Sequence, residues 1–388
     1  MNRQHFPGSG DTQHNQHGAG ARGTNPGRLR PAGRPRLTAA RRASFLSVVS
    51  LASALATSAA ALPAVHHGPG AVQHGPMAVR HGARAGHPAG AAVIGGPQLA
   101  RRGVVVNYPA HGHLPRLPWV PASAYVVADA GTGQVLGAKN PHGRFLPAST
   151  LKVLTAVSLM PVLGPGQLVR ASAWAAATEP SKVGLIAGRW YRVGDLFRAL
   201  LMISANDAAV SLAQATGSYR KGMAIINAEA RHLQADDTVA KRPNGLDARG
   251  QHVSAYDEAL WARAALALPE FMRDEALRTC RFPLRRRHSI TLYTQNTMLD
   301  TFPGDLGGKI GWTTAAGATF IGWARRHHRT LVVTILHATP LTELQTAATL
   351  LSWGFSVDGK INPVGTLVSP LPVATARPRH PARHQPAR

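Results

Sequence analysis

Residues 317–338 read GATFIGWARRHHRTLVVTILHA, two apolar runs (317–326 and 330–338) parted by the polar turn His327–Arg329. Runs of this length, rich in Val, Ile, Thr, Phe and Trp, are the pattern of an antiparallel β-hairpin. GGKIGWTTAAG (307–317) stands just before it, and an apolar stretch at about 342–354 reads as a helix after it. Upstream, AYVVADAGTGQVLGAKN (124–140) supplies two more strand-like runs around the turn Gly131–Thr132–Gly133. Between the two strand regions lie helical stretches at 149–160, 194–203, 207–216 (closed by Gly217) and 256–268. Strands first, helices in the middle, strands and a helix last: this order points to an α/β (α+β) fold with helices packed on an antiparallel sheet.

Charge and composition divide the chain. It has 388 residues, a formal net charge of +25, 44% apolar residues and one cysteine. Residues 1–102 carry twelve arginines against one acid, Asp11, and residues 371–388 add four more arginines. Such segments, poor in large apolar residues and rich in Gly, Pro and His, are expected to stay unfolded. No aromatic-and-basic recognition pattern accompanies the charge, which argues against nucleic acid and for an anionic membrane or wall surface as partner. Cys280 alone cannot form an intrachain disulfide. The histidines are scattered among Gly and Pro without metal-ligand spacing, so no metal site is expected.

FLSVVSLASALATSAAAL (45–62), with Arg41–Arg42 before it, has the basic flank and apolar run of an export signal or anchor. Residues 1–65 are therefore read as a basic N-terminus with that signal, leaving the rest outside the cytoplasm. Residues 66–117 read as a Gly/Pro/His-rich flexible tether, 118–369 as the folded domain and 370–388 as a basic unfolded tail.

The chemistry starts in LPASTLKVLT (146–155). Ser149 and Lys152 lie three apart, hence on one helix face. A serine hydroxyl becomes nucleophilic when a base takes its proton. A lysine can do so when burial or a neighbouring cation pulls its pKa down. Leu151, Val153, Leu154, Val157 and Met160 provide the apolar setting. Lysine is otherwise scarce here, seven against 36 arginines. Ser218 and Lys221 share the spacing, but Arg220 and Gly222 surround them, so that pair reads as surface. Ser204–Ala205–Asn206 falls where two helices meet, and Lys309–Ile310–Gly311 precedes the hairpin.

In the order Ser-x-x-Lys, Ser-x-Asn, Lys-x-Gly, these motifs resemble the penicillin-recognising serine enzymes. NPHGRFLPASTLK, SANDAA, NGLDARGQHVSAYDEAL and GGKIGWTTAAG are similar to the low-molecular-weight D-alanyl-D-alanine carboxypeptidases in particular. The resemblance implies a β-lactamase/transpeptidase-like fold, an antiparallel sheet flanked by helices plus an all-helical subdomain. It implies no cofactor, peptidoglycan stem peptides as substrate and β-lactams as covalent inhibitors. It also implies Ser149 as nucleophile, Lys152 as base, and Ser204 and Asn206 as proton-passing and peptide-holding groups. Lys309, Gly311, Trp312 and Thr313 would bind substrate, with the N–H groups of Ser149 and Trp312 forming the oxyanion hole. Ile310 departs from the family's usual Thr or Ser, which leaves a catalytically impaired penicillin- or wall-binding protein as the alternative. No Glu-x-x-Leu-Asn follows the second motif, which argues against a β-lactamase of class A.

Overall fold

The computed structural model describes residues 93–372. Eleven strands and nine α-helices are described. In chain order they are β1 (Val104–Val105), β2 (Ala122–Asp129), β3 (Gln134–Lys139), α1 (Leu151–Leu159), β4 (Leu168–Arg170), α2 (Ala173–Ala176) and β5 (Trp190–Arg192). Then come α3 (Val193–Met202), α4 (Asn206–Ala215), α5 (Tyr219–His232), α6 (Ala255–Ala265), α7 (Pro269–Glu275), β6 (Thr279–Arg285) and β7 (His288–Tyr293). The last are α8 (Met298–Thr301), β8 (Asp305–Thr313), β9 (Gly317–Arg326), β10 (Arg329–Ala338), α9 (Glu343–Val357) and β11 (Gly365–Thr366).

The main sheet is antiparallel with order β1-β3-β2-β10-β9-β8, and β11 also pairs with β3. Both of its faces are covered. Ala124, Val126 and Ala128 of β2, with Ile321, Trp323, Val332 and Leu336, pack under α6, and α1, α3 and α4 continue the same apolar core beyond it. The alternate residues Tyr125, Val127, Phe320, Leu331, Val333 and Ile335 pack under α9. That double burial explains why 331–336 is apolar almost throughout rather than alternating. α6 is tied to the sheet by two bonds, Trp323 Nε1 to the Ala262 carbonyl (2.8 Å) and Thr334 Oγ1 to that of Ala255 (2.8 Å).

The expected strands, hairpin and helices at 194–203, 207–216, 256–268 and 342–354 all appear, with ends shifted by a few residues. Two features differ. The helical region is not all-helical: β4–β5 and β6–β7 form two small ladders. β4 and β5 are three residues each, too short for a periodic signal. The folded body also begins well before Pro118. Leu99 and Val105 are buried, and β1 pairs with β3, so 93–117 is packed structure rather than tether. A few apolar anchors (Val93, Ile94, Leu99, Val105) suffice to dock a segment whose composition otherwise reads as linker. At the other end Leu371 N donates to the His232 carbonyl. The readings made for 1–65, 66–92 and 373–388 lie outside the described residues. Among the described residues, no helix is long and apolar enough to cross a membrane.

Candidate active site

Ser149 lies in a 3₁₀ turn, Ala148–Thr150, that runs into α1, rather than inside the α-helix itself. It is partly exposed, whereas Lys152, one turn on, is fully buried. Lys152 Nζ has three neighbours at bonding distance: Ser149 Oγ (2.8 Å), Asn206 Oδ1 (2.7 Å) and the carbonyl oxygen of Asn244 (2.7 Å). Asn206 Nδ2 donates to the Glu179 carbonyl, which turns Oδ1 towards the amine. Two of the three neighbours are therefore obligate acceptors, and the third is a hydroxyl that can also donate. A neutral amine has two N–H donors and one lone pair. It fits this set by donating to Asn206 and Asn244 and accepting from Ser149.

Electrostatics favour that neutral form. Burial holds the Lys152 pKa well below the usual lysine value, and the nearby charge of Lys309 lowers it further against a smaller opposing effect of Asp207. Lys309, on β8, is itself buried and donates to the carbonyl of Ile310. Burial brings Lys309 down to about 8 despite the opposing charge of Glu275. Burial likewise pushes Glu275 up to about 7. Desolvation thus outweighs mutual attraction in both partners.

Neighbouring elements hold the constellation. Asp207, in the first turn of α4, accepts from Val183 N (3.0 Å) and from Gly184 N and Leu185 N (both 2.9 Å), pinning the loop that also binds Asn206 N through Ser181 O. Gly245 follows Asn244 with φ +80°, and a Cβ there would fall on the carbonyl of Ala148. Ser204 has φ +61°, a left-handed conformation rare outside glycine, and its buried Oγ makes no hydrogen bond among the described residues.

β8 is an edge strand, so alternate N–H and C=O groups point away from β9. Its Gly311 comes close to the nucleophile's turn: a Cβ there would lie 2.6 Å from Ser149 N and press on Thr319 Oγ1. Gly311→Ala should therefore cost about 1–3 kcal/mol of stability. It should also slow acylation, and wild-type values in thermal unfolding and penicillin uptake would show that the turn yields instead. Trp312 is exposed. Thr313 Oγ1 donates to Asp247 Oδ1 (2.9 Å), and Ile310 packs towards the α9 side. The structure thus bonds Ser149, Lys152 and Asn206 together, brings Gly311 against them and sets Lys309 close enough to act by charge. It leaves Ser204 unbonded and turns Thr313 to Asp247. The decoy pair is surface: Ser218 caps α5, its Oγ accepting from Lys221 N. The sequence reading missed Asn244, Glu275 and Asp207. Asp207 and Asn244 fall inside the motifs SANDAA and NGLDARGQHVSAYDEAL without a role being assigned to them, and Glu275, amid the charges of FMRDEALR, gives no signal.

Residues 113–339 match the family described as D-alanyl-D-alanine carboxypeptidase. The D-alanyl-D-alanine carboxypeptidase DacB2 of Mycobacterium tuberculosis is 36% identical over 262 residues, 66% of this chain and 89% of that protein. DacD of Escherichia coli is 32% identical over 256 residues, spanning 62% of this chain and 64% of that relative's length. The crystal structure of a D-alanyl-D-alanine carboxypeptidase from M. tuberculosis aligns with TM-score 0.63 and 35% identity, covering 67% of this chain and 99% of the other. The motif order, the buried lysine bonded to a reachable serine and these likenesses agree: the chain belongs to the D-alanyl-D-alanine carboxypeptidase family of serine peptidases.

Proposed function

We propose that the chain is an exported enzyme that removes the terminal D-alanine from peptidoglycan stem peptides through an acyl-enzyme on Ser149. The observation that carries this reading is the three-way coordination of Lys152 Nζ, which suits an uncharged amine accepting the Ser149 proton. In that sequence Ser149 Oγ attacks the carbonyl between the two D-alanines while its proton passes to Lys152. The C–N bond breaks, the leaving D-alanine takes a proton, and water later releases the shortened peptide. The N–H groups of Ser149 and Trp312 stabilise the oxyanion, a contribution of roughly 3–4 kcal/mol per donor in another serine hydrolase. Lys309 supplies charge for the terminal carboxylate, Asn206 orients both the amine and the peptide, and Ser204 passes protons.

The test is direct. After penicillin treatment, mass spectrometry should place one adduct on the peptide containing Ser149, and a D-Ala-D-Ala peptide should give sustained D-alanine release. An adduct elsewhere would sink the reading.

Ile310 favours a second reading, a protein that acylates but turns over slowly. A lost hydrogen bond to a charged carboxylate costs about 1.5–3 kcal/mol, roughly 10- to 150-fold. Ile310→Thr should then raise peptide turnover by up to that factor. An unchanged rate would mean that the hydroxyl's role is filled elsewhere. Export rests on the 45–62 run and its arginine flank, and an anionic membrane or wall surface as partner rests on the basic segments. Cell fractionation tests the first.

A further inference from the structure

The turn that presents Ser149 is held from beneath by a carboxyl group with no role in the reaction sequence above. Glu258, on α6, is fully buried, and its Oε1 lies 2.5 Å from Thr150 Oγ1. Thr150 Oγ1 is also 2.6 Å from the carbonyl oxygen of Pro147. One hydroxyl has one hydrogen, so a charged carboxylate and the Pro147 carbonyl would have to share it. The count closes if Glu258 brings its own proton: the acid donates to Thr150, and Thr150 donates to Pro147. The other carboxyl oxygen, Oε2, is buried without a hydrogen-bond partner among the described residues, which a neutral acid tolerates far better than an anion. Among the described residues, no cation is found among the groups that act on Glu258. Burial raises the Glu258 pKa well above its usual value, the contact with Thr150 opposes this in part, and the charge of Asp257 adds to the rise.

The turn needs such bracing. Ala148 sits at φ +48°, a left-handed conformation that costs a residue with a Cβ on the order of 1 kcal/mol or more and persists only where its surroundings impose it. Those surroundings are two hydroxyls on one carbonyl: Pro147 O accepts from Thr150 and, at 2.9 Å, from Thr319 of β9. Thr319 is also the side chain against which Gly311 packs. The Glu258–Thr150–Pro147–Thr319 chain therefore runs from α6 through the nucleophile's turn to the β8 edge.

We propose that Glu258 is a positioning residue, an uncharged carboxylic acid that donates to Thr150 and thereby holds Ser149 N–H and Oγ in register with β8 and Lys152. This rests on Ser149 being the acylated residue. Glu258→Ala should slow penicillin acylation roughly 5- to 30-fold, the range expected for one buried hydrogen bond. The loss should fall on the bond-forming step, with penicillin binding before it unchanged. Glu258→Gln, which keeps an uncharged donor, should recover to within a few-fold of wild type. Wild-type acylation by Glu258→Ala overturns the proposal, and so does a Glu258→Gln as slow as the alanine variant, since the charge would then be what matters. If Glu258→Ala does not fold, Thr150→Val removes the relay with little change in volume. It should show the same slow acylation, and a normal rate in that variant overturns the proposal. Unmodified protein run alongside must carry its adduct on Ser149. If it does not, the parent chemistry fails and takes this inference with it, whereas normal rates in the variants sink this inference alone.

Discussion

With Ser149 replaced by alanine, the protein is expected to take up no penicillin and to release no D-alanine, while still unfolding cooperatively. Ser149 Oγ is the hydroxyl that contacts the buried amine, and it is partly open to solvent where a substrate can reach it. Removing a nucleophile that acts together with its base costs about 10⁴-fold or more in related chemistry. The control is Ser218→Ala. That serine has the same spacing to a lysine, but it caps α5 and is exposed. Its loss should cost about 1 kcal/mol of stability and leave labelling intact. Mass spectra of both variants after penicillin treatment decide the matter, and the opposite pattern would assign the chemistry to the wrong serine.

Lys152→Met should reduce acylation by about 10²- to 10⁴-fold, the usual worth of a positioned general base. Methionine nearly preserves the shape but has no lone pair with the basicity to take the Ser149 proton. The same substitution has a signature in stability. In the folded protein Lys152 resists protonation, whereas in the unfolded chain it has an ordinary lysine pKa near 10.5. Below that value the unfolded state binds the extra proton, so this group makes stability rise with pH up to about 10.5 and fall as pH drops towards its folded pKa. The Met variant should lose this part of the slope. Denaturant titrations of wild type and variant across that window, compared as a difference, cancel the other groups. Equal slopes would mean that Lys152 is charged in the folded state and cannot be the base at rest. The rate of penicillin acylation by wild type should climb over the same pH interval in which the amine gives up its proton.

Much of this site is written in short windows. Ser149 and Lys152 meet because a turn of helix brings residues three apart together, and that geometry holds although the serine sits in a 3₁₀ turn. β9 and β10 are legible because each is ten residues of strand-forming side chains around a polar link. What escapes is long-range or carried by backbone. The Asn244 carbonyl that binds Lys152 lies 92 residues from it, and a carbonyl has no letter of its own. The link between Glu258 and Thr150 joins residues 108 apart through two side chains that look unremarkable in sequence. α5 (YRKGMAIINAEARH) gives a weak signal because its buried positions, Gly222, Ile226 and Ala230, include only one large apolar side chain, and Gly222 reads as a helix breaker. Segment 93–117 was misjudged for a different reason. Composition reports what an average segment of that kind would do, but here four apolar residues find seats on a body that folds around them.

α6 carries more than the brace. Two residues before Glu258, Tyr256 packs its ring against Gly95 and donates its hydroxyl to the Thr366 carbonyl at 2.7 Å. The strand of chain entering the body and the one leaving it are thus moored to the helix that steadies the reactive turn. A fusion partner, surface linkage or truncation at either extremity acts on a mooring shared with the catalytic machinery, so where such a graft is joined matters as much as what it carries.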